Sequence, residues 1–120
     1  MAGKTLLIDI DGTICPQASK GEGYDNIEPY SEAIRTINKL YDEGFKIIFF
    51  TSRFMDFNKG DVLKIYREGG HEYIKKQLDK WGVKYHELHL GKPKSDIIID
   101  DRAVFFENNW SKIYDSCRNK

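Results

Sequence analysis

Apolar and polar positions along the chain predict four strands. Residues 5–10 form an almost unbroken apolar run, which is typical of a strand covered on both faces within a parallel sheet. Residues 46–50 predict a second apolar strand, and residues 83–90 alternate between apolar and polar positions as a third strand would. Residues 97–99, three isoleucines, predict a short buried fourth strand.

Three helices are predicted between and after these strands. Apolar residues spaced three and four apart begin after Pro29 and end before Gly44, a glycine suited to a helix C-terminus. A second helix ends at Gly82, and the last one begins near Trp110. Residues 54–69 look irregular or weakly helical. This order predicts an α/β fold with a single doubly wound, Rossmann-like, mostly parallel sheet and helices on both faces.

Composition limits the class of protein. The 120 residues are enough for one domain, residues 1–120, with its own core. Nineteen basic and nineteen acidic residues balance, so the chain carries no broad positive field for nucleic acid or for a membrane surface. Cys15 and Cys117 follow no metal or redox spacing and are expected to be reduced thiols. We find no signal-peptide pattern and no long apolar span, which favours a cytoplasmic location.

Polar side chains follow the predicted strands directly. Because ligands bind beyond the carboxyl ends of parallel strands, these side chains are candidates for one site. Carboxylate oxygens favour a hard divalent cation, Mg2+ above all, and a nearby lysine and threonine suit a phosphoryl group. A loop of residues 12–28 opens beside the first two carboxylates, and a loop this long is often functional. The candidates are Asp9, Asp11, Thr51, Arg53, Lys92 or Lys94, Asp100 and Asp101.

Four short motifs in this order resemble the signatures of the haloacid dehalogenase superfamily of phosphoryl-transfer enzymes. They are "DIDGT" at residues 9–13, "IIFFT" ending at Thr51, Lys92 in "GKPKSD", and "IIIDD" ending at Asp100 and Asp101. The resemblance covers residues 6–102. The stretch "GKPKSDIIIDDRA" is further similar to small phosphatases encoded with capsular-polysaccharide synthesis.

The resemblance implies a two-step reaction. Asp9 would attack phosphorus to form an aspartyl-phosphate, and Asp11 would serve as general acid and then as general base. Thr51 and Lys92 would hold the phosphoryl oxygens. The implied Mg2+ ligands are the Asp9 carboxylate, the Asp11 backbone carbonyl and Asp100, with Asp101 as a fourth ligand or an orienting group.

The resemblance also implies a domain without a cap. Members with large lids insert a cap after the first or the second strand, whereas here the first interval is the loop of residues 12–28 and the second contains one clear helix. An uncapped site is open to solvent. Either the substrate is large, or a second subunit of a homo-oligomer covers the site.

The substrate implied by the resemblance is a phosphorylated sugar or sugar acid of surface-polysaccharide synthesis, a small molecule rather than nucleic acid. "TSR" after the second strand resembles the Thr-x-Arg of capless phosphatases that act on acidic sugar phosphates, which gives Arg53 the role of binding a substrate anion. The predicted substrate site also includes Ser52, Gly12 and Thr13. Tyr24 and Cys15 are candidates by proximity.

Other interpretations compete with this one. A nucleotide or polynucleotide-end phosphatase belongs to the same superfamily. A phospho-aspartate receiver domain would place its lysine after the last acidic pair, which is the reverse of the order here. An EF-hand beginning at Asp9 would need Gly at position 14 and Glu at position 20, where the chain has Ile14 and Lys20. Arg53 could instead belong to a surface ion pair, and the choice between Lys92 and Lys94 stays open.

Overall fold

The computed structural model describes residues 3–19 and 22–120. The elements in chain order are β1 (Thr5–Ile8), α1 (Ser31–Asp42), β2 (Lys46–Thr51), α2 (Val62–Arg67), α3 (Gly70–Trp81), β3 (Glu87–Leu90) and α4 (Trp110–Asn119). The three strands form a parallel sheet in the order β1-β2-β3. These elements confirm a small α/β domain built on a parallel sheet. The order of these three strands contains no reversal, so double winding and the lack of a cap stay predictions.

The strand register sets which residues meet at the carboxyl edge of the sheet. Ile8 of β1 is level with Phe49 of β2, and Thr51 of β2 is level with Leu90 of β3. Since all three strands run in the same direction, the chain leaves each of them at the same edge. The segments that begin at Asp9, at position 52 and at position 91 therefore start close together.

One face of the sheet is covered and the other is partly open. Ile47, Phe49 and Thr51 alternate along β2 and are fully buried. On the opposite face Ile48 is only half-buried, and Leu7, which is level with it on β1, is 64% exposed. The prediction that the first strand is covered on both faces is therefore wrong for the chain as described.

The helices predicted from periodicity are confirmed. α1 buries Ala33, Ile37 and Leu40 along one stripe, and it packs on α4. α3 buries Ile74 and Leu78 and contacts β3. The short helix α2 falls within residues 54–69, and it packs against α3.

The predicted fourth strand is absent from the described part of the chain. Residues 97–99 have no strand pairing there, and their three isoleucines are 78%, 61% and 95% exposed in chain order. The apolar run gave the expectation of burial, but the segment is not packed against the sheet, so that prediction is wrong. In the loop predicted at residues 12–28, residues 20–21 lie outside the described part.

Candidate active site

The end of β1 presents two carboxylates separated by a buried isoleucine. Ile10 is fully buried, and its carbonyl oxygen accepts backbone hydrogen bonds from Thr13 and Ile14, both at 3.0 Å. This tight turn redirects the chain at Gly12, whose φ of 84° is a conformation that favours glycine. Because Ile10 is buried in the core, its two neighbours Asp9 and Asp11 are the residues at this turn whose side chains can take part in a site.

Asp9 is the carboxylate that a ligand can reach. Its side chain is one-third exposed, and the Lys92 ammonium lies 3.5 Å from its Oδ1. The Thr13 hydroxyl donates to its Oδ2 at 3.3 Å. Lys92 is brought there because its backbone N–H donates to the carbonyl of Thr51 at 3.2 Å, which fixes the loop after β3 at the end of β2. A carboxylate, an ammonium and a hydroxyl thus meet at the edge of the sheet.

The structure separates the two candidate lysines. Lys94 forms an ion pair with Asp56, and both side chains are largely exposed. Its pKa is raised by the hydrogen bond to that carboxylate. Lys92, not Lys94, is therefore the lysine next to Asp9.

Asp11 is held by a buried arginine. The Arg53 side chain has no exposed surface, and its Nε and Nη2 donate to Asp11 Oδ2 and Oδ1 at 2.9 and 2.6 Å. Its Nη1 donates to Gln77 Oε1 at 2.6 Å. A two-pronged contact of this kind fixes both the position and the plane of the carboxylate.

Arg53 also connects the site to the loop after β1. The Tyr24 ring lies 4.1 Å from the guanidinium carbon, a cation–π contact, and the Tyr24 carbonyl accepts from Gln77 Nε2 at 2.8 Å. Burial raises the pKa of the Tyr24 hydroxyl. In this arrangement Arg53 forms a buried ion pair rather than a surface one, and its donors face Asp11 and Gln77. Gln77 lies in the middle of α3, and no motif in the sequence points to it.

The threonine and serine after β2 lie at the same edge. Thr51 is buried, and its hydroxyl oxygen accepts from the backbone N–H of Arg53 at 3.0 Å, which leaves its own proton available to a ligand. The Ser52 hydroxyl is 3.5 Å from the Pro93 carbonyl. The Thr51 carbonyl, which accepts from Lys92 N–H, and the Ser52 hydroxyl thus both contact the loop that carries Lys92.

Cys15 is buried next to Asp11 without the features of a nucleophile. Its sulfur lies 3.6 Å from Asp11 Oδ1. Burial first, and then the neighbouring charge of Asp11, raise the pKa of this thiol to about 12. Since the thiolate is the reactive form, Cys15 serves as a packed, protonated side chain.

Asp100 and Asp101 lie apart from the other candidates. Both are exposed on the segment that leaves the sheet, and Asp100 Oδ1 accepts from the backbone N–H of Arg102 at 2.8 Å. The structure therefore brings together Asp9 and Asp11 of the four predicted metal ligands, but not Asp100 or Asp101. In residues 3–19 and 22–120, no three His, Cys, Asp or Glu residues form a group that could hold a metal ion.

Comparisons with known proteins bear on the fold. No family model and no curated protein matches the chain. The chain is similar to the crystal structure of an MCSG target from Vibrio cholerae, with 28% identity and a TM-score of 0.73. The match covers 95% of this chain and 98% of the other, so it supports the α/β fold over nearly the whole length. Within the described ranges no helix is long and apolar enough to cross a membrane.

Proposed function

We propose that this protein is a Mg2+-dependent phosphomonoesterase that acts through an aspartyl-phosphate on Asp9. The observation that supports this most is the accessible Asp9 carboxylate with Lys92 at 3.5 Å and Asp11 two residues further along. A phosphate ester repels a bare carboxylate, so a nucleophile of this kind needs a cation beside it. Lys92 is placed to supply one.

The oxygens at the end of β1 have the chemistry of a Mg2+ site. Mg2+ takes one or two carboxylates, keeps several waters and accepts substrate phosphate, which suits an accessible Asp9 carboxylate. The Asp11 carbonyl is directed away from the core, since it accepts from the side chain of Gln17 at 3.1 Å. These two oxygens would hold the ion, with Asp100 and Asp101 as further proposed ligands. When bound, Mg2+ would offset the repulsion between the carboxylate and the phosphate.

The proposed reaction has two displacements at phosphorus. Asp11 first takes up a proton from solvent on one of the two oxygens that accept from Arg53. An oxygen of Asp9 then forms the new bond to phosphorus, the ester P–O bond breaks, and Asp11 gives its proton to the departing oxygen. Water then attacks the same phosphorus, its proton passes to the Asp11 carboxylate, and the bond to Asp9 breaks to release phosphate. Lys92 and the Thr51 hydroxyl hold the non-bridging oxygens.

Arg53 acts in this proposal as a positioning residue. Its two bonds to Asp11 fix the carboxylate within the site, and a shift of about 1 Å in such a group can cost about a hundredfold in rate. Arg53→Lys keeps the charge and loses the two-pronged contact. We expect a lower kcat with little change in KM, together with a displaced pH profile.

The proposed substrate is a phosphorylated sugar or sugar acid of surface-polysaccharide synthesis, handled in the cytoplasm. The resemblance of "GKPKSDIIIDDRA" supports this choice, and the balanced charge of the chain argues against a polynucleotide. Because Arg53 is engaged by Asp11, the carboxylate of a sugar acid would have to meet a different cation. A screen of neutral sugar phosphates, acidic sugar phosphates, nucleotides and 3'-phosphorylated oligonucleotides separates these classes.

The activity is tested with an aryl phosphate, with Mg2+ and with EDTA. We expect phosphate release that EDTA abolishes and that Asp9→Asn lowers by about a thousandfold or more, since it removes the nucleophile. Lys92→Ala should lower kcat strongly. Lys94→Ala is the matched control, because this lysine is paired on the surface, and it should stay within about twofold of the natural protein. Full activity in Asp9→Asn, or equal losses in the two lysine variants, would contradict the proposal.

A further inference from the structure

Gln77 on α3 bonds two groups that come from different parts of the chain. Its Oε1 accepts from Nη1 of Arg53 at 2.6 Å, and its Nε2 donates to the carbonyl of Tyr24 at 2.8 Å. Arg53 follows β2, whereas Tyr24 belongs to the loop after β1. A side chain on a helix thus links that loop to the buried arginine, and the reaction described above gives it no part.

These two hydrogen bonds allow the amide of Gln77 one orientation. An amide side chain has its donor hydrogens on nitrogen and its acceptor lone pairs on oxygen. Turned over, it would place Nε2 against the donor Nη1 of Arg53 and Oε1 against the carbonyl oxygen of Tyr24, so both contacts would become repulsive. The Tyr24 carbonyl therefore fixes the amide, and the amide presents a fixed acceptor to Arg53.

The guanidinium of Arg53 is held at all three of its nitrogens. Nε and Nη2 face Asp11, Nη1 faces Gln77, and the Tyr24 ring lies over the group at 4.1 Å. The Arg53 side chain has no exposed surface, so water cannot replace an acceptor that is lost. Without Gln77 the unpaired Nη1 would favour a turned guanidinium, and the contact with Asp11 would turn with it.

We propose that Gln77 is a positioning residue, which fixes the orientation of the Asp11 carboxylate through Arg53. Gln77 bonds Arg53 directly, and Arg53 in turn bonds both oxygens of Asp11. The consequence for catalysis rests on the proposed function, in which Asp11 gives and takes the proton. Since a displacement of about 1 Å can cost about a hundredfold in rate, an amide one residue removed from Asp11 can still control kcat.

The neutral side chain of Gln77 suits this role. Asp11 carries the charge that the Arg53 guanidinium balances. A carboxylate at position 77 would attract the same guanidinium through a stronger, charge-assisted bond and would draw it away from Asp11. A carboxylate also could not donate to the Tyr24 carbonyl. Glutamine supplies the acceptor that Nη1 needs without competing for the charge of Arg53.

A double-mutant cycle on kcat tests whether Gln77 acts through Arg53. Gln77→Met keeps the length of the side chain and removes both hydrogen bonds. With an aryl phosphate we expect kcat to fall by about tenfold and KM to stay within about twofold, because other residues bind the phosphoryl group. In the Arg53→Lys background the same substitution should lower kcat by no more than about twofold, since the guanidinium that Gln77 orients is already gone. A second tenfold loss in that background would overturn the proposal.

A matched control separates this role from a general loss of stability. Asn38 on α1 is also an amide that links two groups: it donates to the Gly82 carbonyl at 3.0 Å and accepts from the Lys84 backbone N–H at 2.7 Å. Asn38→Leu removes both bonds away from the site, so kcat should stay within about twofold of the natural protein. A loss of kcat as large as that in Gln77→Met would overturn the proposal, because lower stability would then explain both.

A second control tests whether attachment of the loop is enough to explain the effect. The Tyr73 hydroxyl, also on α3, donates to Asp25 in the loop after β1. Tyr73→Phe removes this attachment and keeps the hydrogen bonds of Arg53, so kcat should again stay within about twofold. An equal loss in Tyr73→Phe and Gln77→Met would overturn the role of Arg53 as the link.

Hydrogen exchange of the Arg53 Nε–H, followed by NMR, tests the orientation of Arg53 without any activity. In the natural protein burial and the bond to Asp11 protect this hydrogen. We expect Gln77→Met to speed its exchange by about tenfold or more, while the backbone amides of β2 exchange as before. Unchanged exchange of the Nε–H would overturn the proposal even if kcat falls. A natural protein that releases no phosphate would contradict the proposed function alone, and faster exchange in Gln77→Met would still support the role of Gln77 in holding Arg53.

Discussion

Replacing Arg53 with methionine should destabilise the fold by an amount that the geometry sets. The guanidinium has no exposed surface, and the Asp11 side chain that it holds is only 13% exposed. Removing one partner of such a pair leaves a buried charge, which costs about 3–5 kcal/mol. Since Asp11 keeps some contact with solvent, we expect the lower end, about 3 kcal/mol. At about 0.25 kcal/mol per degree for 120 residues, this corresponds to a fall in Tm of about 12 °C.

A double-mutant cycle adds a variant that removes the charge of Asp11, which Arg53 balances. Asp11→Asn combined with Arg53→Met leaves no charge uncompensated, so we expect the double variant to unfold with a smaller loss than Arg53→Met alone, about 2 kcal/mol or less. Arg35→Met is the matched control. Its pair with Glu32 on α1 is exposed, and its loss should change the free energy of unfolding by no more than about 0.5 kcal/mol.

Urea unfolding followed by circular dichroism measures the natural protein, Arg53→Met, Asp11→Asn, the double variant and Arg35→Met. We expect the losses caused by Arg53→Met and Asp11→Asn to be strongly non-additive. A cost below about 1 kcal/mol for Arg53→Met, or strictly additive losses, would show that the pair is not the buried, coupled contact described above.

Three further predictions concern other parts of the fold. Gly70→Ala should lower the free energy of unfolding by about 1–3 kcal/mol in urea, although alanine favours helix, because a Cβ there would lie 2.5 Å from Cγ2 of Ile65 and 2.9 Å from its carbonyl oxygen. With its pKa raised to about 12, Cys15 should react with a thiol reagent at pH 8 only as fast as the protein opens, and a rapid reaction would contradict its burial. The hydrogen bond from His89, followed by the contact with Lys46, lowers the pKa of Glu87 from 4.5 to about 2. The contribution of Glu87 to stability is therefore present above about pH 4.5 and is lost as the pH falls toward 2. Glu87→Gln should make the free energy of unfolding less dependent on pH in that range, and an unchanged pH dependence would contradict this.

The sequence predicted the elements whose signals are local. The stripe of apolar residues in α1 and the glycine after α3 determine those helices almost alone, because each depends on neighbours within a few positions. The position of Asp9 followed in the same way from an apolar run that ends in a carboxylate. Lys92 lies beside Asp9 because its loop is bonded to the end of β2. The order of the motifs only implied that contact.

Features that depend on distant partners could not be predicted. Gln77 holds Arg53 from the middle of a helix, where a glutamine carries no signal of its own. Three isoleucines in a row predict burial, whereas residues 97–99 are exposed and have no strand pairing in the described part of the chain.

Trapping the covalent intermediate is the most direct test of the central proposal. The protein is mixed with an aryl phosphate and Mg2+, quenched in acid within one turnover and digested for mass spectrometry. We predict one added phosphoryl group on the peptide that contains Asp9, and none when Asp9→Asn is treated in the same way. Rapid turnover with no phosphoryl group on that peptide, or with the group on a different residue, would contradict the proposed role of Asp9.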